Sequence, residues 1–423
     1  MSFHPGRYLA AVLGTLAILA IALFVYSFFG GAEVAIGNLV LRVHEGTTYP
    51  LRAPRTLSPD TPPAVAGDGD VSSPDARNVV LVIGDGMGLG HVSAASDLLV
   101  SPGGTLAMTD TENVALVRTW ATNNLAPDSA ATGTAMATGH KTRKKAVGVL
   151  EDGTVVRNLF EVARARGLAT GVITTSGLVD ATPASFTAHV DWRDDYHLIF
   201  EQMLASGTDL MIGGDWTRST KAKKNQPYLD LLARAEELGQ DRGYNVIRDP
   251  ESVDSASLPL LALFPPRPVG GNAHGPQLAD SAARAIELLR EDPEGFVLLV
   301  ECEITDELAH HNDIEGLIEG MRELDKAATA ILETAEALGN TLVVVTADHD
   351  TGTLAVTDGN YEEGLATVRW ATGDHSSQWV PLFAFGPGAK RFTGVLDNTE
   401  IGQLIAEALG LEPLTVLTDL VEN

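Results

Sequence analysis

The stretch that most constrains this chain is Val79-Val80-Leu81-Val82-Ile83, which stops at Gly84-Asp85-Gly86-Met87-Gly88. Five aliphatic residues in a row, four of them β-branched, leave no polar face. Such a run fits a strand covered on both sides, as in a parallel sheet sandwiched between helices. The Asp85 carboxylate then leaves the sheet at the strand's C-terminal end, where open α/β sheets place their ligands. Glycines on either side let the backbone turn sharply and let a ligand come close. Taken alone, the motif is equally an Asp-capped strand-to-loop turn, so the rest of the chain has to decide.

Further short apolar runs occur at 114–120, 169–175, 209–212, 296–300, 341–346 and 380–385. Helical patterns lie between them near 90–100, 159–166, 277–290 and 313–338, with a polar, Leu-containing helical excursion within 221–254. This alternation predicts an α/β fold, a central, mostly parallel sheet with helices on both faces. At 423 residues and 44% hydrophobic content the core can be large. The globular domain is expected at 77–423.

Arg7 precedes an uncharged apolar stretch, 8–31, about as long as the ~20 residues that cross a bilayer as a helix. Residues 1–35 are therefore expected to be a membrane anchor or signal segment, with Ala32-Glu33-Val34-Ala35 offering a cleavage site. Either way the remainder lies on the periplasmic or extracellular side. Residues 36–76 read as a linker, because Pro50, Pro54, Pro59, Pro62, Pro63 and Pro74 deny it regular structure.

Fifty-six acidic against twenty-nine basic residues give a formal charge of −27. That argues against nucleic acid as a partner, since phosphate-backbone binding needs a basic surface. It suits divalent metals, for which carboxylates are hard ligands. The single cysteine, Cys302, excludes an intrachain disulfide and a Cys-based zinc site.

Ligand-type residues gather at the predicted strand ends. The 296–300 run leads into Glu301, with Asp306 five residues on and His310 four after that; i and i+4 share a helical face, so the latter pair can hold one cation. The 341–346 run leads into Asp348-His349, and His375 stands just before the last strand. Three histidines with carboxylates fit zinc with mixed N/O ligation and an open position. For a nucleophile, Asp128-Ser129-Ala130-Ala131 reads as a helix N-terminus with Asp128 as cap. Ser129 then sits where free N–H groups point, and a neighbouring zinc could ionise it. A plain N-cap accounts for the same residues.

Six motifs occur in order: Gly84-Asp85-Gly86-Met87-Gly88, Asp128-Ser129-Ala130, Asp180-Ala181-Thr182-Pro183, the Glu301, Asp306 and His310 spacing, Thr346-Ala347-Asp348-His349, and His375. Together they resemble the alkaline phosphatase family, from about residue 77 to 388. The resemblance implies two zincs and one magnesium. Asp306, His310 and His375 match ligands of the first zinc, which receives the leaving group and then activates water. Asp85, Asp348 and His349 match those of the second, which activates Ser129. Asp85, Asp180, Thr182 and Glu301 match the magnesium-type site, and Arg193 matches the arginine that clamps phosphate. The implied reaction is phosphomonoester hydrolysis through a phosphoserine, by a monomer or homodimer. Three features depart from the better-known members. Glu307 stands where they carry Lys or His, Asp180 makes the third site oxygen-rich, and the 352–373 segment is too short for a full crown. Two other readings remain: a diesterase or sulfatase on the same scaffold, and a tethered metal- or phosphate-binding protein without turnover.

Overall fold

The computed structural model describes residues 33–36, 39–42, 74–100, 105–215, 224–264, 277–360 and 365–415. The apolar stretch at 8–31 and nearly all of the 36–76 segment lie outside these. By backbone contacts the chain divides into two units, 1–59 and 60–423. In the first, Glu33–Ile36 pairs antiparallel with Leu39–Arg42. No helix among the described residues is long and apolar enough to cross a membrane.

The second unit is built on a ten-stranded sheet. Its strands in chain order are β1 Asn78–Gly84, β2 Asn113–Arg118, β3 Ala169–Gly177, β4 Leu210–Gly214, β5 Asn245–Ile247, β6 Leu260–Phe264, β7 Phe296–Cys302, β8 Thr341–Thr346, β9 Val380–Phe385 and β10 Gly394–Asp397. Their order across the sheet is β10-β2-β9-β8-β1-β7-β3-β4-β6-β5. All neighbours are parallel except β9, which runs antiparallel to both β8 and β2. β1 is fully buried and flanked by β8 and β7, as its unbroken apolar run requires.

Register positions the site. Leu382, Thr346, Ile83, Glu301 and Thr174 lie side by side across β9, β8, β1, β7 and β3. The four parallel strands therefore release their loops along one edge. Because β9 is reversed, the residues that precede it, including His375, arrive at that same edge.

Three helices shape or support that edge. Ser129–Thr138 is buried at every position, which its small side chains allow, and Gly139 ends it with φ 75. Ala181–Ser185 follows the Asp180 cap. Ile314–Leu338 is capped by Asp313, whose side chain accepts from the Gly316 amide, and ends at Gly339 with φ 72.

The structure departs from the sequence reading at several elements. The polar excursion forms two short helices, Gln226–Ala233 and Ala235–Gln240, before the edge strand β5. The buried strand β6 is not anticipated from sequence, because prolines bracket its short apolar run. β10 and the helix Asn398–Ala408 close the other end of the sheet and are also additions. Among its described residues, the 352–373 segment forms a hairpin, Leu354–Asn360 with Leu365–Trp370, in keeping with a reduced crown.

Candidate metal centre and active site

Two groups of ligand atoms form at the strand-end edge, each drawn within 4.8 Å: Asp306 with His310 and His375, and Asp85 with Asp348 and His349. In the first, His310 Nε2 is 3.1 Å from His375 Nε2 and 3.2 Å from Asp306 Oδ2, and His375 Nε2 is 3.7 Å from Asp306 Oδ1. Nδ1 of His310 bonds the Gly373 carbonyl, and Nδ1 of His375 the Pro127 carbonyl, each at 2.7 Å. With a proton fixed on each Nδ1, both Nε2 atoms present lone pairs to the same point. Tetrahedral zinc at its usual bond lengths spaces its ligands about 3.3 Å apart, which these separations approach.

In the second group, His349 Nε2 lies 3.2 Å from Asp348 Oδ2 and 3.5 Å from Asp85 Oδ1. Asp348 Oδ1 accepts from the Gly86 and His349 amides, and Oδ2 from Thr132. Asp85 Oδ1 is buried without a hydrogen-bond donor, an oxygen that calls for a cation. Thr351 joins the two groups: its hydroxyl donates to Asp306 Oδ1 and lies 3.2 Å from His349 Nδ1.

The electrostatics agree with the geometry. Burial, then the Asp348 and Asp306 charges, raise Asp85 well above the carboxylate range. Burial pushes Asp348 up to about 6. Burial lowers His349 to about 4; burial and then His349 lower His375 to about 4. His310 rises to about 9, chiefly through its hydrogen bond to Asp306. Buried carboxylates beside two neutral imidazoles, His349 and His375, form a donor set that divalent cations would satisfy, and a cation would take the place of the proton that Asp306 holds on His310. The residues present fit them.

The third set is looser, and no group as tight as the other two includes it among the described residues. Glu301 is pushed up to about 8 by burial and next by Asp180, so two carboxylates share a space that a hard cation would neutralise. The Thr174 hydroxyl donates to Glu301, and Thr182 lies against it. Asp180 is also engaged elsewhere, accepting from Arg193 Nη2 at 2.7 Å and from Ser176.

Ser129 is the first residue of its helix, 4% exposed, with Oγ 3.3 Å from His349 Nε2. Asp128 caps the helix by accepting from the Ala131 amide. It also takes Arg193 Nη1 at 3.3 Å and the Lys145 amide on both oxygens. Burial works against its charge, but Arg193 and Lys145 hold its carboxyl below the usual range. Arg193 is thus fixed from two sides, by Asp128 and Asp180, beside the serine. Every residue singled out in the sequence for this chemistry arrives at one edge of the sheet. Thr132, Thr351 and Lys145 are additions. Thr351, two residues beyond His349 on a short strand, carries a sequence signal in its alternation; Lys145 carries none.

Comparison with known proteins places these features. A family model described as alkaline phosphatase matches residues 76–365. Streptomycin-6-phosphate phosphatase of Streptomyces griseus is 32% identical, over 83% of this chain and 94% of its own length. The alkaline phosphatase of Escherichia coli K12 is 31% identical, over 81% of this chain and 88% of its own. Among solved structures, a histidine-to-aspartate mutant of the TAB5 alkaline phosphatase, with Mg bound in its M3 site, shares 30% identity at a TM-score of 0.70. The match covers 80% of this chain and 99% of that one.

Proposed function

The chain belongs to the alkaline phosphatase family and is a metal-dependent phosphatase, and from that premise we propose that it hydrolyses phosphomonoesters through a phosphoserine at Ser129. The observation that carries this reading is the Ser129 hydroxyl, set at a helix N-terminus 3.3 Å from His349, with Arg193 fixed by Asp128 and Asp180 beside it.

In this reading Asp306, His310 and His375 hold one zinc, and Asp85, Asp348 and His349 a second. Asp180, Thr182 and Glu301, with Asp85, hold a magnesium. The TAB5 mutant's aspartate-for-histidine replacement and its Mg support an oxygen-rich third site of that kind. When bound, such cations supply Lewis acidity that acidifies a serine hydroxyl or a water and neutralises charge on entering and leaving oxygens.

The chain's own residues do the rest. Arg193 presents its guanidinium fork to two phosphoryl oxygens, a bidentate contact that lysine cannot copy. Asp128 holds that fork in place and, as N-cap, sets the direction of the Ser129 Oγ. Ser129 gives up its proton and attacks phosphorus in line with the leaving oxygen. The free amides of the helix N-terminus face the incoming charge. Water entering from the leaving-group side then cleaves the phosphoserine and releases phosphate.

We also propose that residues 8–31 anchor or export the chain, so that it works outside the cytoplasm. Hydrolysis of a nitrophenyl phosphate, its diester and its sulfate, with zinc and magnesium and with chelator, tests the activity. Monoester turnover that chelator abolishes is expected. Turnover of the diester or sulfate alone, or undiminished activity in Ser129→Ala, would contradict it.

A further inference from the structure

Behind the metal ligands a buried carboxylate, Asp350, holds a very short piece of sheet. Asp350–Thr351 pairs antiparallel with His375–Ser376, Asp350 opposite Ser376 and Thr351 opposite His375. Residues opposite each other across two strands point to one face, and neighbours along a strand point to opposite faces. Thr351 and His375 therefore share the face turned to the site, where Thr351 meets Asp306 and His349, and His375 meets His310. Asp350 and Ser376 share the other face. Two residue pairs are far fewer than a two-stranded ladder needs to hold its register unaided.

The Asp350 side chain supplies the hold. It is fully buried, and its Oδ2 accepts from the Ser376 hydroxyl and, at 2.8 Å, from the Thr353 hydroxyl. Thr353 has φ 51, a left-handed conformation that costs a β-branched residue on the order of 1 kcal/mol, and its hydroxyl is aimed at Asp350 all the same. The other oxygen, Oδ1, is buried with no hydrogen-bond donor. It lies against Gly88 in the turn that carries Asp85, where a Cβ would stand 1.8 Å from it. His91, fully buried beside that turn, accepts from the Gly88 amide on Nδ1 at 3.3 Å, which leaves the ring proton on Nε2. Burial keeps His91 below the ordinary imidazole range, with the Asp350 charge and the Thr351 carbonyl opposing. Asp350 thus touches three segments that deliver ligands: the turn after β1, the end of β8 and the approach to β9. An apolar pair would fill the same space without the cost of desolvating a carboxylate. What the carboxylate adds is direction.

We propose that Asp350 is a positioning residue for the metal centre: by holding Ser376 on the back of the two-residue strands it fixes Thr351 and His375 on the front, and so sets the spacing between the two zinc groups. This rests on the reading of Asp306, His310 and His375, and of Asp85, Asp348 and His349, as zinc sites.

The test uses the full chain as wild type, Asp350→Asn, Ser376→Ala, Ser376→Thr and the Asp350→Asn/Ser376→Ala double variant. Zinc affinity is read by competition with a chromophoric chelator, and each protein is also melted free of metal. One zinc equivalent is expected to be held about tenfold more weakly in Asp350→Asn and in Ser376→Ala, the scale on which residues behind metal ligands act. The double variant should lose no more than the worse single one, because both changes break the same contact. Ser376→Thr, which keeps the hydroxyl, should stay within about threefold of wild type. Melting of the metal-free variants should change little. Zinc affinity within about twofold of wild type in both Asp350→Asn and Ser376→Ala would overturn the inference, whatever their melting points. So would losses that simply add in the double variant. A wild type that binds two zincs but forms no phosphoserine would overturn the proposed reaction alone, since zinc affinity still judges Asp350. A wild type that binds no zinc would overturn both.

Discussion

Asp85 and Asp180 look alike in the sequence, each an aspartate just past a strand, yet the structure gives them different partners. Asp85 lies between the Asp348–His349 group and Glu301, so its removal should empty two cation positions. Asp180 faces Glu301 on one side and holds Arg193 on the other. Metal analysis of Asp85→Ala should show two equivalents lost and that of Asp180→Ala one, with the latter also raising KM several-fold because Arg193 is released. The same single loss in both would refute a bridging role for Asp85. Glu307 offers a second residue-level test. It follows Asp306, and burial, opposed by His311, lifts its carboxyl above the ordinary range. Glu307→Lys should tighten inhibition by phosphate several-fold and slow its release; unchanged inhibition would show that Glu307 does not sense the bound anion.

At the scale of elements, the turn that ends β1 carries the closest constraint. Gly86 has φ 67, and a Cβ there would lie 2.6 Å from Asp306 Oδ1 and 2.8 Å from Thr351 Oγ1. Gly86→Ala should therefore cost roughly 1–2 kcal/mol in backbone strain and also displace Asp306. Zinc content should fall by about one equivalent while the fold persists by circular dichroism; full occupancy in the variant would show that the turn tolerates a methyl. The sequence discloses this region well for a physical reason. β1, β7 and β8 are long apolar runs, and a buried strand must end where polar groups resume, so Asp85, Glu301, Asp348 and His349 mark their own positions. The i, i+4 spacing does the same for Asp306 and His310. His375 is legible only as a residue before a strand, and that β9 is antiparallel, bringing it to the same edge, is not written in local pattern. β6, bracketed by prolines, and the left-handed turn at Lys145, whose amide meets Asp128, are set by tertiary contact and leave no periodic trace.

For the whole molecule, stability should be linked both to metal and to proton. Ligands that repel one another without a cation make binding energy part of folding energy, so chelation should lower the melting temperature. A metal at a thousand times its dissociation constant contributes about 4 kcal/mol. Away from the centre, Lys141 is buried beside Asp397, with Nζ 4.5 Å from the Trp120 ring centroid. Burial pushes its pKa down to about 8 from an ordinary 10.5, with Asp397 partly opposing. Between those two values the unfolded chain binds more protons than the folded one, so stability from this site rises with pH across that window. Below about 8 the cost of burying the ammonium is present in full. Relative to Lys141→Met, the wild type should gain roughly 1–2 kcal/mol in denaturant melts between pH 8 and pH 9.5; a flat or falling difference would contradict this assignment.

The central proposal is that Ser129 takes the phosphoryl from substrate, and acid quenching reads that directly. The metal-loaded enzyme is mixed with excess phosphomonoester, stopped in acid within the first turnovers, digested, and weighed by mass spectrometry. One phosphate is expected, on the peptide containing Ser129, and absent from Ser129→Ala, whose turnover should fall by roughly a thousandfold or more. Normal turnover with no phosphate on that serine, or with phosphate trapped on another residue, would contradict it.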